Sequence, residues 1–432
     1  MDTLPLPPRP SVEQYRKRAK ALAAAAHSSD PDAVRSWSRH WLESLVKLLG
    51  EPFTPFIESS IDRAIEHIEK RVRKIGASFS LADAQYLLAE AHGFANWGAF
   101  VGHIEDNNAG TRTDPFEAAA DAIVGGDLAR LEALVREHPE LVRARSSRVH
   151  RVTLLHYVAA NGVEDFRQKT PANAVAIARF LLDAGSEVDA VAETYGGGSV
   201  QTTMNLLVSS THPAGAGLQS QLVEVLLDYG AMINGLADDD SPLMTALAFG
   251  YRGAAETLAR RGARVDGVLA AAALGRLDLV RHFVIDARTL APDARIVVPP
   301  WFDVPRDARS QIALALVWAC KFNRTEVAEF LLDEGVDPSA KDDNAMTTLH
   351  YAAANGNVPL IENLLARGVS LEARNDWDGT VLDSTIHFAR HMPVTGVDYP
   401  AVIELLIARG ANVKAAYPSG DARFDSLLER HL

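Results

Sequence analysis

The chain has 432 residues, 47% of them hydrophobic, with 43 Lys and Arg against 56 Asp and Glu. It is long enough to bury a large core and hold more than one unit, and its apolar content excludes wholesale disorder. The net charge of −13 repels phosphate backbones, which counts against nucleic-acid binding, and the single cysteine, Cys320, excludes an intramolecular disulfide.

Residues 1–10 have no positive n-region followed by an apolar h-region, and no apolar run approaches the ~20 residues that span a bilayer. A soluble cytoplasmic protein is expected. Ser11 then precedes a helix rich in Ala and Lys/Arg. Thr54-Pro55 is a good N-cap and first-turn pair. It opens a helix carrying Ile57, Ile61, Ile65, Ile68, Val72 and Ile75, whose spacings of 4, 4, 3, 4 and 3 draw one apolar stripe. Lys70, Arg71, Arg73 and Lys74 on the other face suit a helix C-terminus better than a nucleic-acid groove. A further helix begins at Leu81, and a last one runs to about Glu105. Phe94 and Trp97 are expected to wedge these helices together.

Beyond residue 111 the chain repeats itself. Thr153-Leu154-Leu155-His156-Tyr157-Val158-Ala159-Ala160-Asn161-Gly162 returns as Thr347-Thr348-Leu349-His350-Tyr351-Ala352-Ala353-Ala354-Asn355-Gly356. A second phrase ends at Gly185, Gly230, Gly262, Gly335, Gly368 and Gly410, with gaps of 45, 32, 73, 33 and 42 residues. The gap of 73 conceals a unit that begins Val268-Leu269-Ala270-Ala271. A degenerate unit at Phe116-Glu117-Ala118-Ala119 opens the array. The total is about eight helix-turn-helix units of basal period near 33 residues. In each, an N-cap such as Thr347 starts a slim Ala-rich helix, Asn355-Gly356 ends it, and a second helix is expected to bury Val358, Ile361, Leu364 and Leu365.

This pattern resembles the ankyrin repeat. The Thr-x-Leu-His opening, the Ala-rich first helix and the Leu-Leu-x-x-Gly ending match it residue by residue in the units starting at Thr153 and Thr347. The resemblance implies an all-α, ankyrin-repeat solenoid over residues 112–432, preceded by a small helical domain over residues 11–107. It also implies that Thr and His tie adjacent loops together, so His156 and His350 are structural. Ahead of the repeats, Asp83-Ala84-Gln85 followed by His92-Gly93-Phe94-x-x-Trp97 resembles a segment found before the repeats of many bacterial ankyrin proteins. That implies a bacterial origin and no known chemistry.

Departures from the period point to function, because insertions in a solenoid map to loops on one face. Extra residues after Gly162, at 212–217 and at 391–400 all fall at the turn between the two helices of a unit, and should decorate one edge. The connection after Gly262 has only about four residues. The next, from Ala287 to Gln311, is far too long and carries Trp301-Phe302 on a Pro-stiffened loop. That pair either anchors a partner or folds back over the missing hairpin. Acidic tips recur at Asp238-Asp239-Asp240, Asp342-Asp343 and Asp376-Trp377-Asp378. In the ankyrin family such tips and the first helices line a concave binding face. Three acidic tips imply a partner with a basic surface, although Asp is also simply a good turn residue.

Catalytic signatures are lacking: there is no Gly-x-Gly-x-x-Gly, Walker loop, Gly-x-Ser-x-Gly or paired cysteine. Tyr195-Gly196-Gly197-Gly198-Ser199 is not followed by the helix start that a phosphate cradle needs. His387 and His391 lie four apart with Asp383 a turn earlier, but a zinc site needs three or four ligands, and Pro393 breaks the segment. Neither a cofactor nor a metal is expected. The favoured reading is a non-enzymatic protein–protein interaction module. Trp301, Phe302 and Trp377 are its hydrophobic candidates and Asp239, Asp342 and Asp376 its charge partners. The alternative is an enzyme or toxin-like effector with His92, His103, Asp83 or Glu90 converging in residues 11–107 or at the junction with the repeats.

Overall fold

The computed structural model describes residues 3–7, 10–50, 53, 55–108, 114–194, 199–297 and 304–432. They are mostly helical and form two compact units, Met1–Met232 and Ile233–Leu432. The division falls inside the stretch that the repeat register treats as one array.

In the first unit, α1 (Val12–Ala26), α2 (Ala33–Leu49), α3 (Pro55–Ile75), α4 (Leu81–Ala91) and α5 (Trp97–Asn108) pack as a bundle. Ser11 caps α1 by accepting from the Gln14 N–H, and Ser80 with Asp83 forms a reciprocal capping box on α4. Thr54 lies outside the described residues. The isoleucine stripe of α3 faces inward, where Ile61, Ile65 and Ile68 meet Tyr15, Trp41 and Phe100. Arg71 on α3 pairs with Glu90 at 3.3 Å and Arg73 approaches Glu69 at 3.9 Å, so part of the basic face serves the bundle itself.

His92 is fully buried at the end of α4, stacked on Phe100 at 5.3 Å. Its Nδ1–H donates to the Leu4 carbonyl at 3.0 Å, because a carbonyl oxygen can only accept. Nε2 then accepts from the Tyr15 hydroxyl at 2.8 Å. The ring is neutral, with burial pushing its pKa down to about 3.

Repeats follow in the same unit. The first helix pair is α6 (Pro115–Gly125) with α7 (Leu128–Glu137). The next is a 3₁₀ helix, Leu154–Ala159, with α8 (Ala174–Asp183), and then come α9 (Thr203–Leu207), α10 (Thr211–Gly215) and α11 (Gln219–Asp228). Between them, β1 (Val191–Thr194) and β2 (Ser199–Thr202) pair antiparallel, Val191 opposite Thr202. The glycine-rich tip 195–198 lies outside the described residues. The twin phrases promise identical helices at Thr153 and Thr347, yet the first is 3₁₀ and ends early, at Ala160 with φ 49°. Packing overrides the local sequence here. The Asn161 side chain donates to Ser209 Oγ at 2.8 Å, and a Cβ on Gly162 would come within 2.8 Å of both Thr194 and Leu206.

In the second unit the pairs are α12 (Ser241–Ala248) with α13 (Arg252–Arg260), α14 (Val268–Leu274) with α15 (Leu277–Phe283), and α16 (Ala308–Lys321) with α17 (Thr325–Asp333). Then come α18 (Thr348–Ala354) with α19 (Val358–Ala366), α20 (Val381–His391) with α21 (Tyr399–Ala408), and the terminal α22 (Val413–Ala416) and α23 (Ala422–Leu428). First helices stack in order, α14 on α16, α16 on α18 and α18 on α20. Ala272, Ala319, Cys320 and Ala352 are fully buried along this stack, where small side chains let the backbones approach. Thr347 caps α18, and the Thr347 N–H donates to His350 Nδ1 at 3.1 Å. His350 Nε2 then faces the Gly379 carbonyl of the next loop at 3.5 Å.

The long connection opens with a small hairpin, β3 (Val284–Asp286) and β4 (Thr289–Leu290), and then turns back on the short one. The Arg295 N–H donates to the Asp266 carbonyl at 2.8 Å, and the Arg295 carbonyl leaves no room for a Cβ at Gly267. Residues 298–303, including Trp301 and Phe302, lie outside the described residues.

The insertion after Gly162 does not decorate an edge. It carries Glu164 and Arg167 into the interior, where they meet Glu117 of α6 and Arg148. Arg167 binds Glu117 at 2.7 Å, and Arg148 lies 2.7 Å from Glu164 and 3.3 Å from Glu117. His150 at 3.1 Å and the Tyr157 hydroxyl also converge on Glu164. Arg148 further donates to the His92 carbonyl at 2.7 Å, which fastens the bundle to the repeats. Burial alone would raise the Glu164 pKa, but the His150 bond and the two guanidiniums outweigh it and hold the carboxyl well below the usual range. Breaking such a buried set leaves an uncompensated charge.

Glu164→Gln or Arg167→Met is therefore expected to destabilise the first unit by about 3 kcal/mol, measured by urea unfolding followed by circular dichroism. A loss under about 0.5 kcal/mol would show that the network holds nothing together. The pH dependence has a definite sign. His92 and His156, held neutral by burial with pKa values of about 3 and about 4, titrate near the ordinary 6.5 only when unfolded. Below about pH 6.5 the unfolded chain binds protons that the folded chain refuses, so stability falls toward pH 4. His92→Gln should flatten that fall, and a slope identical to wild type would contradict the assignment.

Candidate partner-binding groove

In the second unit, two projecting loops and the helices behind them enclose a groove of about 690 Å³. Loop residues Asn344, Met346, Asn375 and Trp377 line one side. Ile386, His387, Phe388 and Arg390 of α20 line another, and Ala415, Ala416 and Pro418 close the end.

Asn375 shapes the Trp377 tip. Its Oδ1 accepts from the N–H groups of Trp377 and Gly379, each at 3.0 Å, while its Nδ2 donates to Ser384 Oγ at 3.0 Å. An Asx turn of this kind fixes the loop and leaves its apex side chain outside. Trp377 is accordingly 70% exposed, on the groove margin with Met392, which is 53% exposed. The Asp376 N–H donates to the Asn344 carbonyl at 3.0 Å, so neighbouring tips are tied to each other.

The acidic candidates have different occupations. Asp342 is turned inward: Oδ1 accepts from the N–H groups of Asn344 and Met346, and Oδ2 from the Tyr351 hydroxyl at 2.6 Å. It builds the loop, and burial together with this carboxylate pushes the Tyr351 pKa up. Asp376 is exposed and forms no ion pair among the described residues. Asp239 accepts from the Ser241 N–H at 3.0 Å at the start of α12, away from the groove lining. Its neighbours are neutralised internally: Arg264 binds Asp238 at 3.1 Å and Asp240 at 2.7 Å, and Arg295 binds Asp240 at 2.9 Å. The structure thus brings Trp377 and Asp376 to one tip beside the Asp342 loop, and leaves Asp239 elsewhere. Sequence reading missed Met392 and Tyr351, although an exposed Met beside Pro393 was a readable signal.

The residues proposed for chemistry do not converge. His92 is enclosed in the bundle, Asp83 is spent on Ser80, Glu90 pairs with Arg71, and His103 packs on Phe94 at 4.9 Å. His387 and His391 lie side by side, ring centroids 4.7 Å apart, with burial and the neighbouring His391 lowering the His387 pKa. Asp383, the third member of that spacing, caps α20 by accepting from Thr380 N–H and Oγ1–H. Among the described residues no group of three or more His, Cys, Asp or Glu is placed to hold a metal ion. None of the described helices is long and apolar enough to cross a membrane.

Residues 316–365, from α16 into α19, match the family of ankyrin repeats. An L-asparaginase of Dirofilaria immitis is 37% identical over 71 residues, which is 16% of this chain and 12% of that protein's length. The ankyrin repeat domain of human ASB11 aligns over 70% of this chain and 99% of its own, with 22% identity and a TM-score of 0.31.

Two substitutions separate construction from display at this groove. Trp377→Ala should change unfolding free energy by less than about 0.5 kcal/mol, as for a surface residue. Tyr351→Phe, which strips a bond from Asp342, should cost about 1–2 kcal/mol. Thermal denaturation of both variants reads the contrast, and a Trp377→Ala loss as large as that of Tyr351→Phe would place the indole in the core instead.

Proposed function

We propose that this chain is a protein–protein interaction module, an adapter or scaffold in which about eight ankyrin-like units over residues 112–432 follow a helical domain over residues 11–107. The partner enters the groove between the Asn344 and Trp377 tips and α20. The single observation that carries this reading is Trp377, a large apolar side chain 70% exposed on a rigid turn at the margin of a 690 Å³ groove. Tryptophan is enriched among the few residues that carry most of the binding energy at protein interfaces. Ankyrin-type units supply stacked surfaces rather than enclosed reaction pockets, which favours binding over catalysis.

In this reading Trp377 and Met392 clamp an apolar side chain of the partner. Asp376, with Asp343 on the neighbouring tip, attracts a Lys or Arg beside it. Asp342 acts indirectly, by holding the loop through Tyr351. Asp239 serves the start of α12, and Trp301 with Phe302 stays a second candidate anchor on the long connection.

A displayed random-peptide library selected against the full chain tests the proposal. Enriched peptides should pair a large apolar residue with Lys or Arg. Trp377→Ala should weaken the best peptide at least ~10-fold and Asp376→Asn about 3-fold, in keeping with an anchor and a rim charge. Affinity indifferent to both substitutions would remove the groove from the binding surface.

A further inference from the structure

The first unit carries a surface of the opposite sign. Between Glu140 and Glu164 the chain has four arginines, Arg143, Arg145, Arg148 and Arg151, and no Asp or Glu, in a protein whose net charge is −13. From Arg145 to Val152 burial alternates strictly. Ser146, Arg148, His150 and Val152 are buried, while Arg145, Ser147, Val149 and Arg151 are exposed, as is Arg143 ahead of them. One face of the loop is therefore consumed by the interior network, and the other displays guanidinium groups.

What those groups touch matters as much as where they are. Arg143 donates to the Gly185 carbonyl at 3.3 Å, and Arg145 donates to the Arg151 carbonyl at 2.9 Å and to that of Val191. A carbonyl fixes a guanidinium in place without cancelling its charge, and the remaining donors of the fork keep their preference for carboxylates. Among the described residues none of the three exposed arginines pairs with a carboxylate. Glu193, brought beside the tip by its N–H bond to the His150 carbonyl, forms no ion pair either. The loop is also rigid: Ser146 N–H donates to Val152 O at 2.8 Å, Val149 N–H to Gly93 O at 3.0 Å, and Arg148 is locked below. Arg143 and Arg145, held in this way and unneutralised, lose little entropy on binding, and Arg151 stands on the same braced backbone.

We propose that the exposed face of residues 143–151 is a second docking surface, which takes an acidic extended segment of a partner protein through bidentate carboxylate contacts to Arg143, Arg145 and Arg151. Nucleic acid is disfavoured as the occupant, because residues 143–151 hold no Phe, Tyr or Trp on which a base could stack, and the 30 basic against 42 acidic residues of 111–432 repel a polyanion more the longer it is. The surface is separate in sequence from the groove at Trp377 and of contrary charge.

The test uses the full chain and a fluorescein-labelled ten-residue glutamate peptide, with a ten-residue lysine peptide and a ten-nucleotide single-stranded DNA as the other arms. Binding is followed by anisotropy. The glutamate peptide should bind, and its dissociation constant should rise about 10-fold in Arg143→Gln/Arg151→Gln and further in Arg151→Glu. Raising salt from about 50 to 200 mM should weaken it, as for surface charges. Arg145→Lys, which keeps the charge, should lose less than the double variant, and Trp377→Ala should change nothing. Unfolding midpoints of all variants should match wild type, since the substituted side chains are exposed. Undiminished binding by the double variant would overturn the proposal, as would DNA binding without peptide binding, or no binding of the glutamate peptide at millimolar concentration. Loss of binding in Trp377→Ala alone would assign the acidic peptide to the groove and overturn this surface specifically.

Discussion

A pair of short helices cannot bury its own apolar face. An eight- or ten-residue helix offers one stripe, two such helices cover only part of each other, and the remainder must be closed by the next pair. Everything else in the repeat region follows from that. The first helices are built from alanine and other small residues because α14, α16, α18 and α20 lie directly on one another. Cys320 is held in that stack as a small hydrophobe, its thiol pKa pushed up by burial. The requirement also fixes the loops. With each pair pressed on its neighbour, polar groups at helix starts must be satisfied locally, and the Thr347–His350 bond does so while His350 reaches the next loop.

The same constraint explains where charge is tolerated inside. At the start of the array the loop at Arg148 and Val149 joins the helical bundle to the repeats within the first unit. The join is ionic at its centre: Arg148 spans from the His92 carbonyl and the Phe94 ring to Glu117 and Glu164. A buried ionic set contributes less net stability than an apolar core of equal volume, but it accepts only one geometry. A second repeat with a shortened 3₁₀ helix and an insertion turned inward is the form that geometry takes in the chain. Glu164 and Arg167 are carried inward by the extra residues after Gly162, whose excess length would otherwise be exposed.

The sequence made the periodic part of this legible. Two nearly identical phrases, a recurrent Leu-Leu-x-x-Gly and one isoleucine stripe are all local patterns, and local patterns report helices and their buried faces directly. Trp377 was readable for the same reason, since Asn375 and Gly379 around it announce a tight turn with an outward apex. What could not be read depends on partners far apart in the chain. Asp240 looks like a free acidic tip until Arg264 and Arg295 are placed against it, 24 and 55 residues away. Glu164 and Arg167 look like an exposed insertion because charged residues are rarely buried unless paired, and their partners lie well upstream, Arg148 for Glu164 and Glu117, 50 residues away, for Arg167. The identity of Thr153 and Thr347 even misled, because the shorter helix at Leu154–Ala159 is imposed by Leu206 and Ser209 of the following pair.

Net charge is consequently a poor guide to what these surfaces attract. A composition of −13 and three acidic tips point to a basic partner, but recognition depends on the charge left over after internal pairing. Asp238 and Asp240 are neutralised by arginines, and Asp342 is spent on backbone N–H groups and Tyr351. Asp376 retains its field. Arg143 and Arg145 are oriented by carbonyls, which carry no formal charge, and so keep theirs. Residual charge therefore has opposite signs at the Arg143–Arg151 loop and at the Asp376–Trp377 tip. Selection for solubility alone would scatter leftover charges of both signs. At these two loops the leftover charge stands on braced backbone, one locked by Arg148 and the other by Asn375, and rigid bracing of a charged tip reduces what a partner must order when it binds.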